Sequence, residues 1–349
     1  MSAPSSRYLD HLRQGLAAYE QRTGRRPADE ALDVSRPAVR ALYDRFRARP
    51  FPTGLGATEA EWLMLDLGLK QVLRERLSAA RLPALKERCA AEGWALEVQA
   101  LDPPGSQAPV VDGADTSPLR GFHAYVGRER GLVAEAAALD HAMIPHQSAP
   151  EEHIEGTSPD DTLRLGELLG YPPCCTAAFA QFHDHLVDNW QPIATAAAAT
   201  RRFEPLLNNL VLGAFHFIAW YPCSYDCAAS LQIAHQLSDE LAKRRPAETV
   251  RAHALLSTPR VYFDERRQLI LDGVEAEGHV RYSAVHSPYA LDRQASSAAY
   301  EWVFFADVVA PLERGDRLWM EGEELVAAHG GRELVRLAAP DAIWLPFTR

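Results

Sequence analysis

The sequence predicts an α+β fold, in which helices and antiparallel strands occupy different stretches of the chain. Up to about residue 250, apolar side chains recur mainly at the three- and four-residue spacing of helices. After Pro246 the pattern changes to short runs with turn residues between them, which is typical of antiparallel hairpins. These patterns favour three regions, 1–120, 121–250 and 251–349.

Region 1–120 is predicted to be helical and to end in a strand and a linker. The stretch TEAEWLMLDLGLKQVLRERL, residues 58–77, opens with Thr58 and has Glu61 three residues later, which is a capping box. WALEVQAL, residues 94–101, predicts a strand. The Pro, Gly, Ser and Asp residues of 102–119 indicate a long loop or linker.

Region 121–250 is predicted to be a mainly helical module with one strand. GFHAYVGR indicates the strand, and ERGLVAEAAALDHAM the helix after it. Ser158 as cap, proline at the first helical position and acids in the first turn predict a helix over 159–169, with Gly170 as its stop. A second helix is predicted from the prolines before Cys174, and a third from Pro222 to the basic turn before Pro246.

Four of the five cysteines follow two Tyr-Pro steps, in YPPCC and YPCSYDC, and they are the main functional signal: Cys174, Cys175, Cys223 and Cys227. Both segments continue with small residues and a later histidine and leucine, so they resemble a degenerate internal repeat. Each group is predicted at a helix start, where unpaired N–H groups and the helix dipole favour the thiolate. Thiolates that converge repel one another unless a cation lies among them, so we expect a metal.

A [4Fe–4S] cluster bound by Cys223, Cys227 and one of the adjacent pair is the favoured interpretation, with Cys175 preferred over Cys174. The spacing departs from the two Cys-x2-4-Cys knuckles of most four-cysteine zinc sites, although zinc remains the alternative. Redox-active thiols and structural thiols are further alternatives. The radical-SAM pattern Cys-x3-Cys-x2-Cys is absent, because Ser230 stands where its third cysteine would fall.

Three cysteine ligands would leave one iron open, and the expected function is therefore enzymatic: sulfur transfer, Lewis-acid or small redox chemistry on a small molecule, with an electron or sulfur donor protein as a possible partner. Cys174, His216 and Tyr225 are the candidate catalytic residues. His216 lies in an apolar run just before Cys223, and Tyr225 lies between two predicted ligands. The alternatives are a zinc-stabilised, non-catalytic binding or assembly protein and a redox-active thiol protein.

The remaining candidates are weaker. A loop-like stretch before the first cysteine helix contains His141, His146 and His153. Each of these histidines could be a site residue or an exposed polar residue. Cys89 is predicted to be a core residue.

Charge and hydropathy limit the binding partners and the cellular location that we expect for the protein. Acidic residues exceed Lys and Arg by 47 to 36, a net charge of −11, which disfavours binding to nucleic acid or anionic lipid. The N-terminal residues lack the apolar segment of a signal peptide, and no apolar run is long enough to span a membrane. We therefore expect a cytoplasmic protein, in which free thiols or metal ligands are favoured over disulfides.

Overall fold

The computed structural model of the protein divides into two compact units. The first comprises Gly54–Arg202 and Leu206–Ala252, and the second includes Phe203–Pro205 and His253–Arg349. The structure describes residues 57–77, 79–100, 122–143, 158–182, 190–210, 216–263, 268–286, 308–340 and 342–347. The helices predicted within 7–56 and the linker at 102–119 lie outside these ranges.

Helices dominate the chain up to residue 256. The elements there are α1 (Ala57–Asp66), β1 (Val72–Leu77), α2 (Leu82–Glu92), β2 (Ala95–Ala100), β3 (Phe122–Gly127), α3 (Arg130–Met143), α4 (Pro159–Leu168), α5 (Pro173–Ala180), α6 (Trp190–Ala199), a 3-10 turn (Pro205–Leu207), α7 (Ala228–Arg244) and α8 (Pro246–Leu256). Among these described helices, none has both the length and the apolar character needed to cross a bilayer.

A three-stranded antiparallel sheet forms the centre of the first unit, in the order β1-β3-β2. Alternate residues of its strands face opposite sides, so each face has its own core. Leu73 and Val126 pack with side chains of α1 and α2, among them the buried Cys89, which confirms the core position predicted for that cysteine. On the other face, Val72 and Tyr125 pack with α3 and α4.

The strand β1 corrects a sequence prediction. The stretch 58–77 was predicted to be one helix, but its helix ends at Asp66 and Val72–Leu77 pairs with β3 along its whole length. The apolar residues of VLRERL fit both the period of a helix and the two-residue period of a strand. Hydrogen bonding to β3, which is distant in sequence, makes this run a strand. Of the predicted capping box, the Thr58 side chain lies outside the described residues, and Glu61 forms a buried ion pair with Lys70.

The second unit contains a seven-stranded antiparallel sheet in the order β10-β4-β5-β6-β7-β8-β9, and it confirms the predicted C-terminal hairpins and the α+β class. Its apolar core includes Leu271, Leu318 and Leu325. The strands are β4 (Arg260–Tyr262), β5 (Gln268–Ala276), β6 (His279–His286), β7 (Arg317–Glu321), β8 (Glu324–His329), β9 (Arg332–Ala338) and β10 (Ile343–Leu345), with a short helix, α9 (Ala310–Leu312), before β7.

Two features bear on the predicted regions. Helix α8 was not predicted, although Pro246 at its start and Glu248 in its first turn are ordinary helix-start signals. Strands β1 and β2 precede residue 120 and pair with β3, which follows it. The division into 1–120, 121–250 and 251–349 stays a prediction.

Close packing of α4 against α5 positions the first pair of cysteines. Gly166 of α4 faces Thr176 of α5, and a Cβ atom at Gly166 would lie 2.3 Å from Thr176 Cγ2 and 2.6 Å from its Oγ1. Thr176 is buried, and its hydroxyl donates to the Pro172 carbonyl, so it has little freedom to move away. A glycine at 166 therefore lets the two helices approach.

We predict that Gly166→Ala destabilises the protein by about 2 kcal/mol, because the added methyl group overpacks the α4–α5 contact. Urea unfolding followed by circular dichroism measures the change. Gly131→Ala is the matched control, since Gly131 lies in α3 and a methyl group there would meet no neighbouring atom within 4 Å. This control should be neutral or stabilising by up to about 1 kcal/mol. Equal stability of the two variants would contradict the packing argument.

Candidate metal centre

The segment before the first cysteines is organised by local helix chemistry. Ser158 caps α4 through a capping box with Asp161, and Pro159 occupies its first position, as the sequence predicted. The helix ends at Leu168, and Gly170 follows with φ +73, a left-handed conformation that suits glycine. The chain is thereby turned directly into α5.

Cys174 and Cys175 lie in the first turn of α5, which confirms their predicted position at a helix start. Pro172 is the cap residue, and its carbonyl accepts the N–H of Cys175 at 2.9 Å. Cys175 is buried and Cys174 is exposed. The two adjacent side chains thus leave the same helix start with different access to water.

The second pair has a different backbone from the one predicted. Helix α7 begins at Ala228 with Cys227 as its cap residue, so Cys223 does not share a helix face with Cys227. Contacts with the 200–201 segment fix the chain before the helix: the Tyr225 N–H donates to Thr200 Oγ1 at 2.7 Å, and Asp226 accepts the N–H of Arg201 at 3.2 Å. Because of these tertiary hydrogen bonds, the helix starts at Ala228 and not at Pro222, as the sequence had predicted.

Both segments bring their sulfur atoms to one place. Cys174 Sγ lies 3.9 Å from Cys175 Sγ, and Cys227 Sγ lies 3.6 Å from each of them. With Cys223, the four Sγ atoms all lie within 4.8 Å of one another. All four cysteines are free of disulfides. The predicted ligand set is therefore a single cluster that could hold a metal ion.

Hydrogen-bond donors surround the buried side of the cluster. The backbone N–H of Cys223 donates to Cys175 Sγ at 3.4 Å, and Ser230 Oγ lies 3.2 Å from the same sulfur. Trp220 Nε1 donates to Ser230 Oγ at 3.0 Å, and the Trp220 ring packs against Tyr171 with centroids 5.1 Å apart. The two Tyr-Pro segments are thus joined beside the sulfur atoms.

Ionisation within the cluster is strongly unequal when no cation is present. Hydrogen bonding from Cys175 lowers the pKa of Cys227 to about 4. The same contact, together with burial, raises the pKa of Cys175 above the ordinary thiol value. Burial and the interaction with Cys227 raise the pKa of Cys223 to about 12. A thiolate at Cys227 therefore disfavours ionisation of the neighbouring thiols, and a cation among the sulfurs would remove this repulsion.

The predicted catalytic residues outside the cluster have other surroundings. Tyr225 is fully buried, and its placement supports a packing role. His216 is partly buried; burial lowers its pKa, Glu61 acts to raise it and Lys70 to lower it. Both catalytic roles stay predictions. His141 is exposed in the last turn of α3, and His146 and His153 lie outside the described residues.

Sequence reasoning missed Ser230 and Trp220 as neighbours of the cysteines. Ser230 follows the cap residue Cys227 by three positions, the spacing of a capping box, and that is the local signal that could have drawn attention to it. Trp220 precedes the Tyr-Pro step, but its contact with Ser230 depends on tertiary folding.

Comparisons with known proteins add no family assignment: no family model, no curated protein and no solved structure matches this chain. The description of the centre therefore rests on its own geometry.

We predict that Ser230→Ala lowers the free energy of unfolding by about 1–3 kcal/mol, because it leaves the buried Trp220 N–H without its acceptor. Denaturant unfolding with tryptophan fluorescence measures it. Gln232→Ala, on the exposed side of the same helix, is the control and should change stability by less than about 0.5 kcal/mol. A Ser230→Ala protein as stable as the control would show that the Trp220 bond contributes little.

Proposed function

We propose that this protein is a metalloprotein in which Cys174, Cys175, Cys223 and Cys227 together bind one tetrahedral metal ion, and that the ion is zinc. The observation that carries the proposal is the separation of the sulfur atoms. A zinc ion with zinc–sulfur bonds of about 2.3 Å places its ligands about 3.8 Å apart. The separations of 3.6–3.9 Å among Cys174, Cys175 and Cys227 agree with that value.

The same separation bears on the iron–sulfur alternative. A [4Fe–4S] cluster puts a cube of iron and sulfide between its ligands, so its cysteine sulfurs must lie much farther apart than those of one shared ion. The spacing therefore supports zinc over the cluster that the sequence favoured. One observation favours the cluster: Cys174 is exposed while Cys175 and Cys227 are buried, as expected if three cysteines bind iron and one corner stays open to a small-molecule substrate.

The chemistry of the ligands supports a metal in either case. Tetrahedral thiolate sites are typical of zinc and of iron–sulfur centres. A divalent ion at the centre offsets the repulsion among the thiolates and ties the start of α5 to the start of α7. Free cysteines in this number also fit the cytoplasmic location expected from the sequence.

Metal analysis after anaerobic purification tests the identity of the ion. We expect a colourless protein with about one zinc per chain, because four thiolates complete the coordination of one ion. Elemental analysis and a visible absorption spectrum are the measurements. A brown protein with about four iron and four sulfide per chain would replace zinc by the cluster. Absence of any metal would leave the thiol-redox alternative.

Alanine variants test the ligand set. We expect Cys175→Ala, Cys223→Ala and Cys227→Ala to abolish zinc binding, because each removes a ligand from the buried or half-buried part of the cluster. Cys174→Ala should weaken zinc affinity by at least about tenfold, measured by competition with a chelator. Cys89→Ala is the control and should retain full zinc, because Cys89 lies in the hydrophobic core between the sheet and α2. Unchanged affinity of the Cys174 variant would instead favour three ligands.

A further inference from the structure

The four sulfur atoms of the proposed centre differ in access to water. Cys175 has 1% of its surface exposed and Cys227 has 7%, whereas Cys174 is exposed and Cys223 is intermediate. A reagent that approaches from solvent therefore meets the sulfur of Cys174 first.

The sulfur atoms also differ in the hydrogen bonds that they receive. Cys175 Sγ accepts the backbone N–H of Cys223 and contacts the Ser230 hydroxyl, and the Ser230 N–H acts on Cys227. Among the described residues, the hydrogen-bonding contacts of Cys174 Sγ are to other cysteine sulfurs, and those of Cys223 Sγ are likewise to Cys174 and Cys227. Hydrogen bonds to a thiolate draw charge from the sulfur and reduce its reactivity, so Cys174 and Cys223 retain more electron density than Cys175 and Cys227. Greater exposure to water then distinguishes Cys174 from Cys223.

We infer that Cys174 is a nucleophile that accepts an alkyl group from a small, soluble electrophile. This inference rests on the proposed metal site, since a bound divalent cation keeps its ligand sulfurs ionised at neutral pH. The Cys174 sulfur donates an electron pair to the electrophilic carbon and forms a carbon–sulfur bond. The bond from that carbon to its leaving group breaks, and the leaving group departs with the electron pair. Neither an oxidant nor a reductant is needed.

Charge indicates the class of electrophile. Four thiolates around one divalent ion carry an excess of negative charge, and the whole chain has a net charge of −11. Anionic alkyl donors are repelled by this field, whereas neutral and cationic donors are not. The expected substrate is therefore an alkyl donor that is neutral or positively charged as a whole, and its leaving group departs with one charge fewer than it had in the donor.

Alkylation of the zinc-loaded full-length protein tests the inference, with iodoacetamide as the neutral probe and iodoacetate as the anionic one. Peptide mass mapping over time should find Cys174 modified at least about tenfold faster than each of Cys175, Cys223, Cys227 and Cys89. Cys174→Ser should lose the fast modification, and Cys89→Ala should retain it. Modification spread evenly over the cluster, or fastest at the half-exposed Cys223, would overturn the inference.

Two further readouts separate metal activation from simple exposure. The rate at Cys174 should change less than about threefold between about pH 6 and pH 8, whereas a free thiol gains roughly 75-fold over that range. The ratio of iodoacetamide to iodoacetate rates should exceed the ratio for free cysteine by at least about threefold. A steep pH profile or an unchanged ratio, in protein shown to contain zinc, would refute the inference and leave the proposed metal site intact. Protein without metal would refute the proposed function itself.

Discussion

Repulsion among closely packed thiolates is the constraint on which the centre of the first unit depends. Sulfur atoms 3.6–3.9 Å apart cannot all ionise unless positive charge lies among them. Two helix starts, a backbone N–H and a serine hydroxyl supply part of that charge as dipoles, but the raised pKa of Cys175 and Cys223 indicates that they do not supply all of it. A cation would supply the remaining contribution, and the space between the sulfurs limits its size.

The helices around the centre hold the sulfurs in this arrangement. Gly166 lets α4 approach α5, and Gly170 turns the chain between them, so the first two cysteines are carried on a closely packed helix pair. The Trp220–Ser230 bond and the Trp220–Tyr171 contact join the second segment to the first. The cysteines are therefore preorganised by protein contacts, which would reduce the ordering that binding of a metal must itself provide.

Local chemistry accounts for what the sequence could predict. Ser158 and Asp161 form a capping box, Pro173 occupies a helix start, and the hairpins of the second unit follow from short alternating runs, so α4, α5 and the C-terminal strands were predictable. The strand Val72–Leu77 and the irregular backbone at Cys223 were not, because each is decided by hydrogen bonds to residues far away in sequence. The distances between the sulfur atoms were also beyond the sequence, since ligand spacing along the chain does not give them.

The separation of the two cysteine segments has a consequence for synthesis of the chain. Cys175 and Cys223 are 48 residues apart, and Cys174 and Cys227 are 53 apart. A nascent chain that has emerged only through α5 presents an adjacent pair of thiols and no more. The other sulfurs arrive after another segment of that length has been translated and has folded back, which delays the contact by the time of chain elongation and loop closure. Capture of the proposed metal ion would thus be a late step in folding, and during that interval the first two thiols would lack their other two ligand partners.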